Sequence, residues 1–139
     1  MAEQLQLSAD LASLPEFMGF AADQARKAGF PSQRVSEVEL VLEEALVNVM
    51  ENAYPGHSGE LTLRAESTEP QRLVVEIRDQ GKAFNPLDRD DPDTGSGLME
   101  RPVGGLGIFL MKKFADRVAW QRQGNENCLT IIFRERHDR

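Results

Sequence analysis

The main change in the spacing of apolar residues, from a helical to a strand-like period, occurs at Tyr54-Pro55-Gly56, and this change constrains the fold most. Before that break, apolar residues recur every three or four positions, which is typical of amphipathic helices. After it, they alternate with polar residues, as in strands that bury one face. The sequence therefore predicts a helical half followed by a sheet-forming half.

The helical half is predicted to hold a short strand at 4–7 and two helices. The first helix covers 14–28 and ends at Gly29, with Pro31 two residues later, a typical helix C-terminal signal. The second helix runs from about residue 32 to 53. Its apolar stripe consists of Val35, Val38, Leu42, Ala45, Leu46, Val49 and Ala53.

The second half is predicted to form two hairpins separated by an irregular loop. The predicted elements are strands at 60–66, 73–77, 118–123 and 128–133 and a helix at 105–114. Residues 82–103 show no regular pattern, and a loop of that length within a compact domain is often functional. The element order β-α-α-β-β-loop-α-β-β predicts the α+β class.

Length, charge and cysteine content restrict the function classes. The 139 residues suit a single domain, 1–139, and the 23 acidic against 16 basic side chains give a net charge of −7. This charge argues against direct nucleic-acid binding, which needs a basic surface. The single Cys128 fits a reducing, cytoplasmic environment, and no apolar stretch or basic leader indicates a membrane span or export.

Three polar residues on the second predicted helix form the first candidate group. Glu44, Asn48 and Asn52 are each four positions apart, so they lie on one helical face, one turn from each other. A solvated polar face would explain Glu44 by itself. Together, however, a carboxylate and an amide oxygen one turn apart are suited to holding a metal ion and orienting a nucleophile.

Two glycine-containing segments supply the remaining candidates. Asp79-Gln80-Gly81-Lys82-Ala83-Phe84 follows a predicted strand, where a carboxylate can accept a hydrogen bond and a glycine permits close backbone approach. Gly104-Gly105-Leu106-Gly107 precedes a predicted helix, where backbone N–H groups can face an anion. An ordinary turn and a hinge leading into a helix cap are the alternative interpretations.

The order and spacing of these groups resemble the GHKL, or Bergerat-fold, ATPase superfamily over residues 32–133. Within it, the run Glu44-Ala45-Leu46-Val47-Asn48 and the pair Ala53-Tyr54 are most similar to serine/threonine protein kinases that act as anti-sigma factors. The resemblance implies a two-layer α/β sandwich of the histidine-kinase-like ATPase type. It implies a mixed sheet with helices on one face, adenine bound between the second helix and the sheet, and residues 82–103 as the ATP lid.

The resemblance also implies roles for the residues of the second helix. Asn48 would coordinate Mg²⁺ bridging the ATP phosphates, and Glu44 would be the general base for the attacking hydroxyl. Asn52, which stands where close relatives often have His, would lie at a contact with the phosphates or a partner. The chemistry is phosphoryl transfer, in which positioning and charge neutralisation do most of the catalysis.

The nucleotide base and the lid are assigned in the same way. Asp79 would accept a hydrogen bond from the adenine amino group beside Gly81, and Thr130 would help to contact adenine. The remaining nucleotide-binding positions implied by the resemblance are Phe84, Arg101, Gly105, Leu106 and Gly107.

The implied function is that of an ATP-dependent kinase and anti-sigma factor in a bacterial partner-switching system. It would bind a sigma factor, phosphorylate a serine on a STAS-domain antagonist, and dimerise through residues 1–30. Two alternatives remain open, a non-catalytic ATP/ADP-binding partner-switch module and a stand-alone ATPase domain of the sensor-kinase type. Glu44 favours the kinase, because a binding module does not need a carboxylate there.

Overall fold

The computed structural model describes residues 2–88 and 110–135. Its elements are β1 (Ala2–Ser8), α1 (Leu14–Lys27), α2 (Ser32–Asn52), β2 (Glu60–Glu69), β3 (Arg72–Asp79), β4 (Arg117–Gln123) and β5 (Glu126–Arg134), with 3₁₀ turns at Leu11–Ser13 and Pro86–Asp88. Residues 110–114 are also helical, which is the described part of the helix predicted at 105–114. The predicted α+β order is confirmed. None of the helices in these two ranges is long and apolar enough to cross a membrane.

The strands form a single five-stranded sheet in the order β1-β2-β3-β5-β4. All four pairings described are antiparallel, so the expectation of a mixed sheet is wrong. The physical reason lies in the connections. The two helices between β1 and β2 bring the chain back to the edge of the sheet at which β1 ends, so β2 starts beside Ser8 and runs against β1. β4 has the same direction as β3, but β5 lies between them, and no parallel pair arises.

One face of the sheet is packed against the helices and forms the core. Alternate strand residues face this side, and with the buried stripe of α2 they exclude water from a continuous apolar cluster. The sheet contributes Leu61, Leu63, Ala65, Leu73, Val75, Ile77, Leu129, Ile131 and Phe133. The opposite face is polar and carries ion pairs that link Arg64, Arg78, Glu76 and Glu126. The predicted arrangement, with helices on one face, is confirmed.

A buried arginine near the start of α2 joins three parts of the chain. Arg34 is 3% exposed, and its guanidinium donates to the carbonyl oxygens of Phe114 and Arg134, each at 2.8 Å. It also pairs with Asp116 at 2.8 Å and with Glu37 at 2.6 Å. A buried charge is tolerated only when it is paired and hydrogen-bonded. The three acceptors outside α2, which are Asp116 and the two carbonyl oxygens, fix α2 relative to helix 110–114 and the end of β5.

We predict that Arg34→Met destabilises the fold by about 3 kcal/mol, because it leaves Asp116 and two carbonyl groups without their buried donor. Arg26→Met is the matched control. It breaks a pair with Asp23 in which both side chains are more than 60% exposed, and it should cost no more than about 0.5 kcal/mol. Urea denaturation of both variants measures the difference, and equal costs would contradict a central role for Arg34.

Candidate active site

The polar stripe predicted on α2 is present, and its amides are held by the helix itself. Asn48 donates its Nδ2 to the carbonyl oxygen of Glu44 at 3.1 Å, and Asn52 donates to that of Asn48 at 2.7 Å. Each amide nitrogen therefore donates one hydrogen bond within the helix, and the Oδ1 atoms receive no donor from the described parts of the chain. Asn48 is only 4% exposed, while Glu44 and Asn52 are half-buried. The stripe thus offers oxygen ligands at the edge of the core.

Asp79, the last residue of β3, provides a buried carboxylate beside α2. Its side chain is 2% exposed, and Oδ1 accepts hydrogen bonds from the Gly81 N–H at 2.8 Å and from Asn127 Nδ2 at 2.9 Å. For Oδ2, residues 2–88 and 110–135 supply no donor. A carboxylate oxygen that has no donor within the described residues can accept an N–H group from a ligand.

Gly81 lies against the C-terminal end of α2. A Cβ atom at this position would be 2.0 Å from the carbonyl oxygen of Ala53, and the same oxygen accepts the Lys82 N–H at 2.9 Å. The resemblance assigned this glycine to close approach of a base. In the structure Gly81 contacts the backbone at the end of α2, and this contact joins the turn carrying Asp79 to the helix carrying Glu44 and Asn48.

Sequence reasoning missed Asn127, which connects the turn after β3 to β5. This residue is 3% exposed, pairs with Asp79 in the β3–β5 register, and donates to the Lys82 carbonyl at 2.8 Å. Its Oδ1 accepts the Phe84 N–H at 3.4 Å. The one available signal was a polar residue in phase with Leu129, Ile131 and Phe133, on the buried face of the last strand.

The remaining predicted site residues are placed differently. Phe84 is half-buried close to Asn127. Thr130 is not brought to the site, because it pairs with Glu76 on the outer face of the sheet, where its hydroxyl lies 3.8 Å from the Cys128 Sγ. The other four predicted positions lie outside the described residues, as does most of the predicted lid at 82–103. They are Arg101, Gly105, Leu106 and Gly107.

The environment of Glu44 changes its acidity. Partial burial raises the pKa of this carboxyl, and the negative charges of Glu43 and Glu51 raise it further. Burial penalises the charged form because the interior solvates it less well than water does. The ionised Glu44 is consequently a stronger base than an exposed glutamate.

We predict that Glu44→Gln stabilises the fold at neutral pH. Folding raises the pKa of Glu44, so the folded state is favoured when this carboxyl is protonated. The resulting stabilisation is complete below the unfolded-state pKa and is lost as pH rises through the folded-state pKa. The thermal midpoint of the variant should exceed that of wild type at pH about 7.5, and the gap should close at pH about 4.

Glu69→Gln is the control for this prediction, because it removes the same charge from the exposed last residue of β2. It should show no comparable pH-dependent gap. A gap for Glu44→Gln that is constant between the two pH values would contradict the raised pKa.

Comparison with known proteins gives curated relatives that are kinases by name. The chain is 31% identical over 93 residues to the serine/threonine-protein kinase BtrW of Bordetella bronchiseptica, covering 66% of this chain and 65% of that protein. It is 28% identical over 127 residues to the serine-protein kinase RsbW of Bacillus subtilis, covering 84% of this chain and 76% of that protein. The aligned part therefore spans just under two thirds of BtrW and about three quarters of RsbW.

A solved structure shares the fold, and a family model matches the sequence. A blue-light activated histidine kinase from Erythrobacter litoralis EL346 superposes with a TM-score of 0.58 at 20% identity, covering 87% of this chain and 41% of that one. At that identity the likeness concerns the fold alone. The model of the histidine kinase-like ATPase domain matches residues 7–133, which is most of the chain and includes α2 and every strand after it. The chain belongs to the histidine kinase-like ATPase domain family, in its RsbW-like GHKL branch.

Proposed function

We propose that the protein is an ATP-dependent serine/threonine protein kinase that acts as an anti-sigma factor. The observation that carries this proposal is the junction of α2 with the turn after β3. It places the buried Asp79 carboxylate beside the helix on which Glu44 and Asn48 are one turn apart. Relatives named serine-protein kinases support the transfer of phosphate to a protein hydroxyl.

The residues present fit a nucleotide bound with Mg²⁺. Asp79 Oδ2 can accept a hydrogen bond from the adenine amino group. Asn48 Oδ1, at the rim of the core, can bind a metal ion. Mg²⁺ in proteins takes few protein ligands and is completed by phosphates and water, so a few oxygen ligands from this chain can suffice. When bound, Mg²⁺-ATP supplies the phosphoryl group and compensates the charge that builds up during transfer.

In this proposal the residues of α2 divide the work between binding and proton transfer. Asn48 is held by its bond to the Glu44 carbonyl, so its oxygen keeps one orientation. Glu44 accepts the proton of the substrate serine hydroxyl, and the raised pKa of its carboxyl makes it a stronger base. Asn52 lies one turn further along α2, where its side chain donates to the Asn48 carbonyl, and it is suited to a phosphate or partner contact.

The partners proposed are a sigma factor and a STAS-domain antagonist that carries the phosphorylated serine. These partners follow from the resemblance to partner-switching kinases. We also propose a cytoplasmic homodimer that forms through residues 1–30. This segment contains β1, which pairs only with β2 within the described sheet and therefore leaves one edge open.

We predict that Asn48→Ala abolishes the Mg²⁺-dependent part of ATP binding. The fold should survive, because alanine favours the helix more than asparagine and the Glu44 carbonyl needs no side-chain donor within α2. Calorimetry with Mg²⁺ should give the affinity that wild type shows with EDTA. Gln33→Ala is the control, since it removes an exposed amide about 22 Å away along the same helix and should leave ATP binding unchanged. Wild-type affinity in Asn48→Ala would remove this residue from the site.

We predict that Glu44→Gln slows phosphate transfer by at least about a hundredfold while ATP and the partner proteins still bind. The substitution preserves size and helix propensity but removes the group that takes the serine proton. Transfer from labelled ATP to a co-purified STAS protein measures the rate, and phosphoserine should be the product.

The outcomes of this experiment separate the kinase from its alternatives. Absence of transfer by wild type would leave a nucleotide-dependent binding module, and phosphohistidine would indicate a sensor-kinase-type ATPase domain. Full activity of Glu44→Gln would retain the kinase and remove the proposed base.

A further inference from the structure

Tyr54 connects the end of α2 to the two strands beside the candidate site. Its hydroxyl accepts the Gln80 N–H at 2.8 Å and donates to the carbonyl oxygen of Glu60 at 2.6 Å. Gln80 lies between Asp79 and Gly81, and Glu60 is the first residue of β2. One hydroxyl group therefore bridges the start of β2 and the turn that follows β3.

The aromatic ring of Tyr54 is held in place by its surroundings. A Cβ atom at Gly59 would lie 2.2 Å from a ring carbon, so the ring packs directly on the glycine backbone. The ring also makes an edge contact with His57 at 5.7 Å between centroids. With the ring fixed from two sides, the hydroxyl has a defined position from which to orient the Gln80 N–H.

The turn that Tyr54 holds is the one that orients the Asp79 carboxylate. The Gly81 N–H, one residue after Gln80, donates to Asp79 Oδ1, and the adjoining Lys82 N–H is bound to the carbonyl of Ala53, directly before Tyr54. Movement of the Gln80 peptide would therefore move the donor that fixes Asp79. Through the bond between Lys82 and Ala53, this turn is also connected to the end of α2, which carries Asn48.

We propose that Tyr54 is a positioning residue for base recognition, whose hydroxyl holds the turn so that Asp79 Oδ2 faces the exocyclic amine of a purine. This inference rests on the proposed nucleotide site and extends it to specificity. Adenine presents an amino group at its C6 position, which a carboxylate accepts, whereas guanine presents a carbonyl oxygen there. The Tyr54 bridge thus contributes to the preference for ATP over GTP, although Tyr54 itself does not touch the base.

We predict that Tyr54→Phe weakens ATP binding about fivefold to tenfold and leaves GTP binding nearly unchanged, because phenylalanine keeps the ring packing and removes only the bridge. Binding of both nucleotides is measured by calorimetry with Mg²⁺. Tyr54→Phe in an Asp79→Asn background should have no further effect on ATP, since the group that it positions is already altered.

Two further variants distinguish positioning from general stability. Ser67→Ala removes a hydroxyl that donates to the Glu69 carbonyl at the other end of β2, and it should leave the ATP preference intact. Gly59→Ala displaces the Tyr54 ring without removing its hydroxyl, and it should lower the ATP preference in the same direction as Tyr54→Phe.

The inference is overturned if Tyr54→Phe weakens ATP and GTP equally, or if its effect persists in the Asp79→Asn background. A wild-type protein that binds ATP in preference to GTP, with a Tyr54→Phe variant that keeps this preference, would overturn the inference alone. A wild-type protein that binds no ATP would instead overturn the proposed function, and this inference with it.

Discussion

The contact between the carbonyl directly after α2 and the backbone after β3 determines the geometry of the candidate site. Ala53 directs its carbonyl oxygen at the turn, where it accepts the Lys82 N–H and leaves no room for a side chain at position 81. Only glycine avoids this collision. Because the end of the helix and the turn meet backbone to backbone, Asp79 is held next to the C-terminal end of the helix that carries Asn48.

The two ends of α2 are fixed by different kinds of interaction. At its start, the buried Arg34 binds the described end of helix 110–114 and the last residues of β5 through charged hydrogen bonds. At its end, the backbone contact with Lys82 and the Tyr54 bridge hold the turn after β3. A helix of 21 residues is about 31 Å long, so these two anchors hold it across the sheet. The position of Asn48 depends on both.

The two carboxylates of the site are held in contrasting environments, and this contrast suits different tasks. Asp79 is enclosed, and because Oδ1 already accepts two hydrogen bonds, its second oxygen is left to accept one from a ligand donor. Glu44 receives no such donors from the described residues and lies near two other acids, which together with burial raises the pKa of its carboxyl. A fixed acceptor favours recognition, while a carboxylate with a raised pKa favours proton transfer.

The sequence alone determined the elements, their order and the α2 stripe of Glu44, Asn48 and Asn52, because helix and strand periods are local properties. The outward position of Thr130 was also contained in its alternation with Leu129 and Ile131. The antiparallel pairing, the hydrogen bonds of Asn127, the burial of Arg34 and the reason for Gly81 came only from the tertiary structure. Each depends on which segments, distant along the chain, become neighbours, and local periodicity carries no information about that choice.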